Sequence, residues 1–193
     1  MFKSLYDYLI GLSQSRRAPY ALAAVAFAES SFFPLPPDIL LAPMSLAEPK
    51  KAWRFALIAT VGSVLGGALG YAIGALLYDT LGHWLVHLYG YEDKMAALKE
   101  TYAKWGALLI LVKGFTPIPF KLVTIVSGLL GYNFPLFMGL AVVTRGARFF
   151  VLAAALNHFG DPLRLALERH FAAFILGMLA LVVIGFYLAA HVL

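Results

Sequence analysis

Six ionisable residues stand inside stretches of otherwise apolar sequence: Glu29, Asp38, Lys113, Lys121, Arg145 and Arg148. Arg145 and Arg148 are three apart, which puts both on one face of a helix. Their guanidinium forks match the oxygens of a phosphate. Lys113 and Lys121 lie eight apart around two prolines and add point charges. Four cations against two carboxylates leave a surplus of two positive charges, which asks for an anion. A closed network of structural ion pairs, the alternative, would be near neutral. Glu29 and Asp38 have two readings. Either they take up and release protons during a transport cycle, or each neutralises one lysine or arginine throughout.

Other chemistry finds less support. His83 and His87 are four apart, but no third ligand of suitable spacing follows, so no metal site is predicted. Ser30 and Ser31 beside Glu29 form neither a nucleophile elbow nor a dyad with a nearby histidine. There is no cysteine and no glycine-rich phosphate loop. The chain is therefore not expected to be an enzyme, and no cofactor is implied.

The elements that must hold these charges follow from composition. The 193 residues are 62% hydrophobic and only 13% charged, and mean hydropathy is +0.82, against about 45–50% apolar and about 25% charged in soluble domains. Such a chain is an integral membrane protein. Fifteen Lys+Arg against ten Asp+Glu give a net charge of +5. In this setting the excess points to cytoplasmic loops and anionic lipid, and nucleic acid is not expected as a partner. A charge buried at a helix centre in a bilayer costs about 2.5–3.5 kcal/mol on insertion scales, so six of them require a polar cavity with partners.

Spanning about 30 Å of hydrocarbon takes roughly 20 apolar residues. Residues 52–78 and 171–192 meet this, and 134–158 has the length while carrying Arg145 and Arg148. Residues 18–47 and 105–131 are each apolar but broken in the middle by prolines: Pro34, Pro36 and Pro37 in the first, Pro117 and Pro119 in the second. Prolines delete amide donors and stop helix propagation, so each segment is expected to form a re-entrant helical hairpin rather than a kinked span. Residues 1–17 form an amphipathic pattern and residues 80–104 are rich in Trp and Tyr, so both are expected at the interface.

With the N-terminus in the cytoplasm, eight cations (Lys3, Arg16, Arg17, Lys50, Lys51, Arg54, Arg164 and Arg169) lie inside. Only Lys94, Lys99 and Lys104 lie outside, as the positive-inside rule requires. Phe33–Leu40 can also be laid over Thr116–Val123 so that the Pro-x-Pro tips coincide and Asp38 falls on Lys121. Each hairpin precedes a long span. The expected fold is an all-α integral membrane protein of two inverted repeats, each a re-entrant hairpin plus a transmembrane helix, with a C-terminal transmembrane helix and interfacial helices added. Gly62, Gly66, Gly70 and Gly74 recur every four residues and make a smooth helix-packing face. That face could pack within one chain or between two copies of a homodimer.

The stretches Ala28-Glu29-Ser30-Ser31-Phe32-Phe33-Pro34-Leu35-Pro36-Pro37-Asp38 and Lys113-Gly114-Phe115-Thr116-Pro117-Ile118-Pro119-Phe120-Lys121 resemble the DedA family of bacterial membrane proteins. Tyr71 in the glycine-rich span, Gly128 and Gly131 agree. The match is closest to the short YqaA-like branch, also called the SNARE-associated or VTT domain, and covers about Leu22–His158. The resemblance implies movement of lipids between leaflets of the bacterial inner membrane, the lipid being undecaprenyl phosphate or a glycerophospholipid, with dependence on the proton-motive force. It also implies essential carboxylates in the first hairpin, which Glu29 and Asp38 match. Many members carry an Arg-Phe-x-Pro-x-x-Arg stretch where this chain has Lys113 and Lys121. Lysine lacks the bidentate fork, which leaves the lipid open and keeps the site basic. On this reading Lys113, Lys121, Arg145 and Arg148 hold the lipid phosphate, while Glu29 and Asp38 couple to protons. The rival expectations are a proton-coupled ion or small-solute transporter and a non-transporting membrane scaffold.

Overall fold

The computed structural model describes residues 15, 17–33, 36–82, 87–88, 92–115 and 120–160, and among these there is no strand. The expected C-terminal helix at 171–192, nearly all of the expected interfacial helix at 1–17, and the tip residues Pro34, Pro117 and Pro119 lie outside the described residues.

Helix α1 is Ala18–Ser31, opened by Pro19, whose fixed φ suits the first helical turn. It closes with the Phe32 and Phe33 amides both donating to the Ala28 carbonyl at 2.9 and 2.7 Å. The prolines that follow cannot continue it. Helix α2, Asp38–Ala47, begins directly after Pro36 and Pro37 and stops at Glu48, the residue before Pro49. A 3₁₀ turn at Pro49–Lys51 leads into α3, Ala52–Leu77, which runs on into a π turn at Tyr78–Gly82. Helix α4 is Glu92–Phe115 and crosses position 104. Helix α5 is Phe120–Leu129. Gly131 then takes a φ of +67°, the left-handed conformation that closes a helix C-terminus. Helix α6, Phe134–His158, is capped by Asn133, whose Oδ1 accepts from the Leu136 amide at 2.9 Å.

Two helices are long and apolar enough to cross a membrane, Pro49–Thr80, which contains α3, and Phe134–His158. Leu57, Val61, Leu65 and Leu69 form an exposed stripe along α3, and Leu136, Val142, Val143 and Val151 are exposed on α6. Such continuous apolar exposure suits hydrocarbon, not water. The glycine stripe lies about 100° round α3 from the exposed one, with Gly62, Gly66 and Gly70 each following an exposed residue by one position. A Cβ on Gly62 would stand 2.6 Å from the Ala23 carbonyl oxygen, one on Gly66 would overlap the Phe27 carbonyl, and one on Gly74 the backbone of Ile125. Backbone therefore lies directly on backbone, as small residues permit.

These contacts give direction. Ala23, Phe27 and Ser30 meet Gly62, Gly66 and Gly70 in turn, so α1 runs parallel to α3; Thr124 and Ile125 meet Gly70 and Gly74, so α5 continues along the same stripe. With 14 residues, α1 is about 21 Å long at 1.5 Å per residue, and α5 supplies the rest of the length. On α6 two other helices divide the length in the same way. Helix α4 covers its first half, where Ile110 and Tyr102 cluster with Tyr132, Phe137 and Ala141. Helix α2 covers its second half, where Ala42 and Leu46 meet Leu156. Long helices α3 and α6 are antiparallel, since Trp53 stacks on Phe150 at 5.8 Å while Tyr71 meets Phe134 at 5.1 Å.

Candidate functional site

The end of α1, the start of α2, the start of α5 and the middles of α3 and α6 converge at one point, and the charges lie there. Helix α1 stops where the proline segment begins, which fixes Glu29 in its last turn. Asp38 follows in the first turn of α2, where the helix dipole favours an anion. The two carboxylates thus face α6 from two helices, one on either side of the proline segment.

Arg145 is 1% exposed. Its Nη2 donates to Glu29 Oε2 at 2.7 Å and its Nε to Ser63 Oγ at 2.6 Å. Ser63 Oγ is 2.6 Å from Ser30 Oγ, and Ser30 Oγ donates to Glu29 Oε2 at 3.1 Å. Because Ser30 uses its proton on Glu29, Ser63 donates to Ser30, and the four groups close a ring in which each hydroxyl gives one bond and receives one. The guanidinium carbon lies over the rings of Phe120 and Phe149, at 4.9 and 4.8 Å from their centroids, where the ring faces attract a cation. Buried charge is tolerable here because Glu29 supplies the counter-charge and Ser63 a further acceptor.

Arg148 is held differently. Its Nη2 donates to Asp38 Oδ2 at 2.5 Å, and its side chain is 30% exposed against 8% for Asp38. The other carboxylate oxygen, Asp38 Oδ1, is buried with no hydrogen-bond partner among the described residues.

Of the lysines, Lys121 places Nζ 3.5 Å from the Phe32 carbonyl oxygen at the end of α1. Thr124, one turn on, donates to the Lys121 carbonyl at 2.8 Å and reaches the Ser30 carbonyl at 3.1 Å, joining the start of α5 to the end of α1. The side chain of Lys113 lies outside the described residues. Pro36 and Pro37 precede α2, with Pro37 fully buried. Gly62, Gly66, Gly70 and Gly74 are occupied by α1 and α5 of the same chain.

The structure thus brings five of the six charges to one crossing and distributes the two arginines over separate carboxylates. Sequence reasoning missed Ser63, Phe120, Phe149 and Thr124, and set Ser30 aside as a nucleophile without seeing its role as a link. Only Phe149 carried a signal, its i, i+4 spacing from Arg145.

The VTT domain family profile matches residues 35–158, a stretch that takes in Asp38, Arg145 and Arg148 and begins after Glu29. An uncharacterised protein of Haemophilus influenzae is 35% identical over 188 residues, 97% of either chain. An uncharacterised protein of Histophilus somni is 34% identical over 152 residues, 79% of either chain. No solved structure matches.

Proposed function

The chain belongs to the VTT domain, or DedA, family of membrane proteins, and from that premise we propose that it is a lipid translocase, a flippase or scramblase that moves a phosphate-headgroup lipid between leaflets. The lipid is undecaprenyl phosphate or a glycerophospholipid. One observation carries the reading: two charge pairs between separate elements, Glu29 with Arg145 and Asp38 with Arg148, meet at the point where α1 ends and α5 begins. Half-helices that meet inside an apolar bundle mark the binding point in secondary transporters. The reciprocal packing supports an inverted repeat, since α1 and α5 share α3, α4 and α2 share α6, and the long helices are antiparallel. Helix α1 runs with α3 and α2 returns to the start of α3, as in a re-entrant hairpin.

In this reading the basic groups of the crossing, drawn from Lys113, Lys121, Arg145 and Arg148, receive the phosphate. Protons couple through one of the carboxylates, Glu29 or Asp38. The protein resides in the bacterial inner membrane, multi-pass, with its N-terminus in the cytoplasm. It acts without enzyme chemistry, and a homodimer would use a surface other than the glycine face.

A second reading has its own observation. Both arginines are already paired, as in a scaffold whose buried charges lock the fold. Reconstitution separates the two. Proteoliposomes holding fluorescent phosphatidylglycerol should lose inner-leaflet protection from dithionite faster with the protein than without it, and Arg148→Gln should abolish the difference at an equal amount of folded, reconstituted protein. Equal rates with and without wild-type protein, with or without an imposed pH gradient, would leave the scaffold. Solute-driven currents without lipid movement would favour an ion or small-solute transporter instead.

A further inference from the structure

We infer that the two arginines divide the work: Arg148 is the cation that meets the headgroup, the lipid phosphate and the Asp38 carboxylate are alternative ligands for it, and Arg145 only positions the helices. This rests on the translocase reading and names the residue inside it.

Arg145 is closed on every side the structure describes. Its Nε and Nη2 donate to Ser63 and Glu29, its guanidinium carbon lies over the rings of Phe120 and Phe149, and it is 1% exposed. An anion could reach it only by displacing groups already packed on it, the serine ring or the phenylalanine side chains. Among the described residues Arg148 makes one hydrogen bond, and it keeps nearly a third of its side chain exposed. A guanidinium has five N–H donors in a planar fork, so it has donors left for phosphate oxygens. Its partner is also held lightly, because Asp38 engages Arg148 through Oδ2 while Oδ1 has no partner among the described residues. One bond, not a network, has to yield.

The surroundings favour a lipid over a free phosphate. Val151, one turn beyond Arg148, is exposed on the apolar face of α6, so a ligand at Arg148 would have its polar end on the guanidinium and hydrocarbon beside it.

The probe is radiolabelled short-chain phosphatidic acid, titrated against the full chain in detergent, with affinity counted per folded molecule and inorganic phosphate as competitor. Arg148→Gln should weaken binding about tenfold or more, the worth of one charge-assisted bond, with Arg148→Lys in between. Asp38→Asn should tighten binding by a similar factor, since the competing ligand is gone. Ser63→Ala, which opens the clasp without removing a charge, should change affinity less than twofold per folded molecule, and Arg145→Lys should act through the folded fraction. Loss of affinity in folded Ser63→Ala or Arg145→Lys as large as in Arg148→Gln, or no gain in Asp38→Asn, would overturn the division of labour and leave the translocase reading standing. Inorganic phosphate competing as well as phosphatidic acid would make the ligand a free phosphate. No binding by wild type or Asp38→Asn would remove the lipid reading itself, and this inference with it.

Discussion

Arg145 and Arg148 stand one turn apart on α6, yet they bind carboxylates from two different helices, Glu29 at the end of α1 and Asp38 at the start of α2. One helix thus holds both at the point where the proline segment parts them.

The sealed pair should be sensitive to loss of one partner and tolerant of losing both. Glu29→Leu leaves a buried guanidinium without its anion, which typically costs about 3–5 kcal/mol. Glu29→Leu with Arg145→Met should recover most of that. Thermal unfolding of the purified variants in detergent reads the difference. A double variant no more stable than the single one would show that the pair is more than a clasp.

The glycine stripe should tolerate no side chain. Gly66→Leu and Gly74→Val force α1 or α5 off α3, and overpacking of this kind costs about 1–3 kcal/mol or more. Gly139, which has nothing within 4 Å of its added Cβ, is the control: Gly139→Ala should leave the melting temperature unchanged or raise it slightly.

Tyr71 and Tyr102 both anchor the second half through their hydroxyls, with unequal consequences. Tyr71 donates to the Tyr132 carbonyl, and Tyr102 meets Ser127 at 2.9 Å. Tyr71→Phe takes away that carbonyl's hydroxyl donor, at about 1–3 kcal/mol. Tyr102→Phe should cost less, because Ser127 still donates to Val123 at 2.7 Å. Denaturant midpoints of the two variants should fall in that order.

The exposed ion pair of Lys51 with Glu48 makes the opposite case. Solvated pairs contribute about 0–1 kcal/mol, so Glu48→Gln should leave melting within error, and a drop as large as that of Glu29→Leu would contradict the distinction drawn between sealed and open pairs.

How far the sequence reached can be followed residue by residue. The charges in apolar surroundings, the proline breaks after Ser31 and before Phe120, and the four-residue glycine period were legible because each is a local violation of what hydrocarbon or helix geometry tolerates. The register between elements was not. Nothing in the spacing of Ser63 tells that it will stand between Arg145 and Ser30, 82 and 33 residues away, and the charge surplus gave no sign that the arginines would take separate carboxylates.

By itself, then, the sequence determined a membrane-embedded helical protein with two proline-broken segments, a small-residue face and a basic interior, because hydropathy, proline geometry and the cost of buried charge act at the level of single residues and short windows. Only the tertiary structure decided that α1 and α5 share the glycine stripe, that Arg145 is sealed in a ring of hydroxyls and aromatic faces, and that Arg148 stays open beside Asp38. Those outcomes depend on which backbones can approach closely enough to touch, a property of the packed bundle that no local pattern encodes.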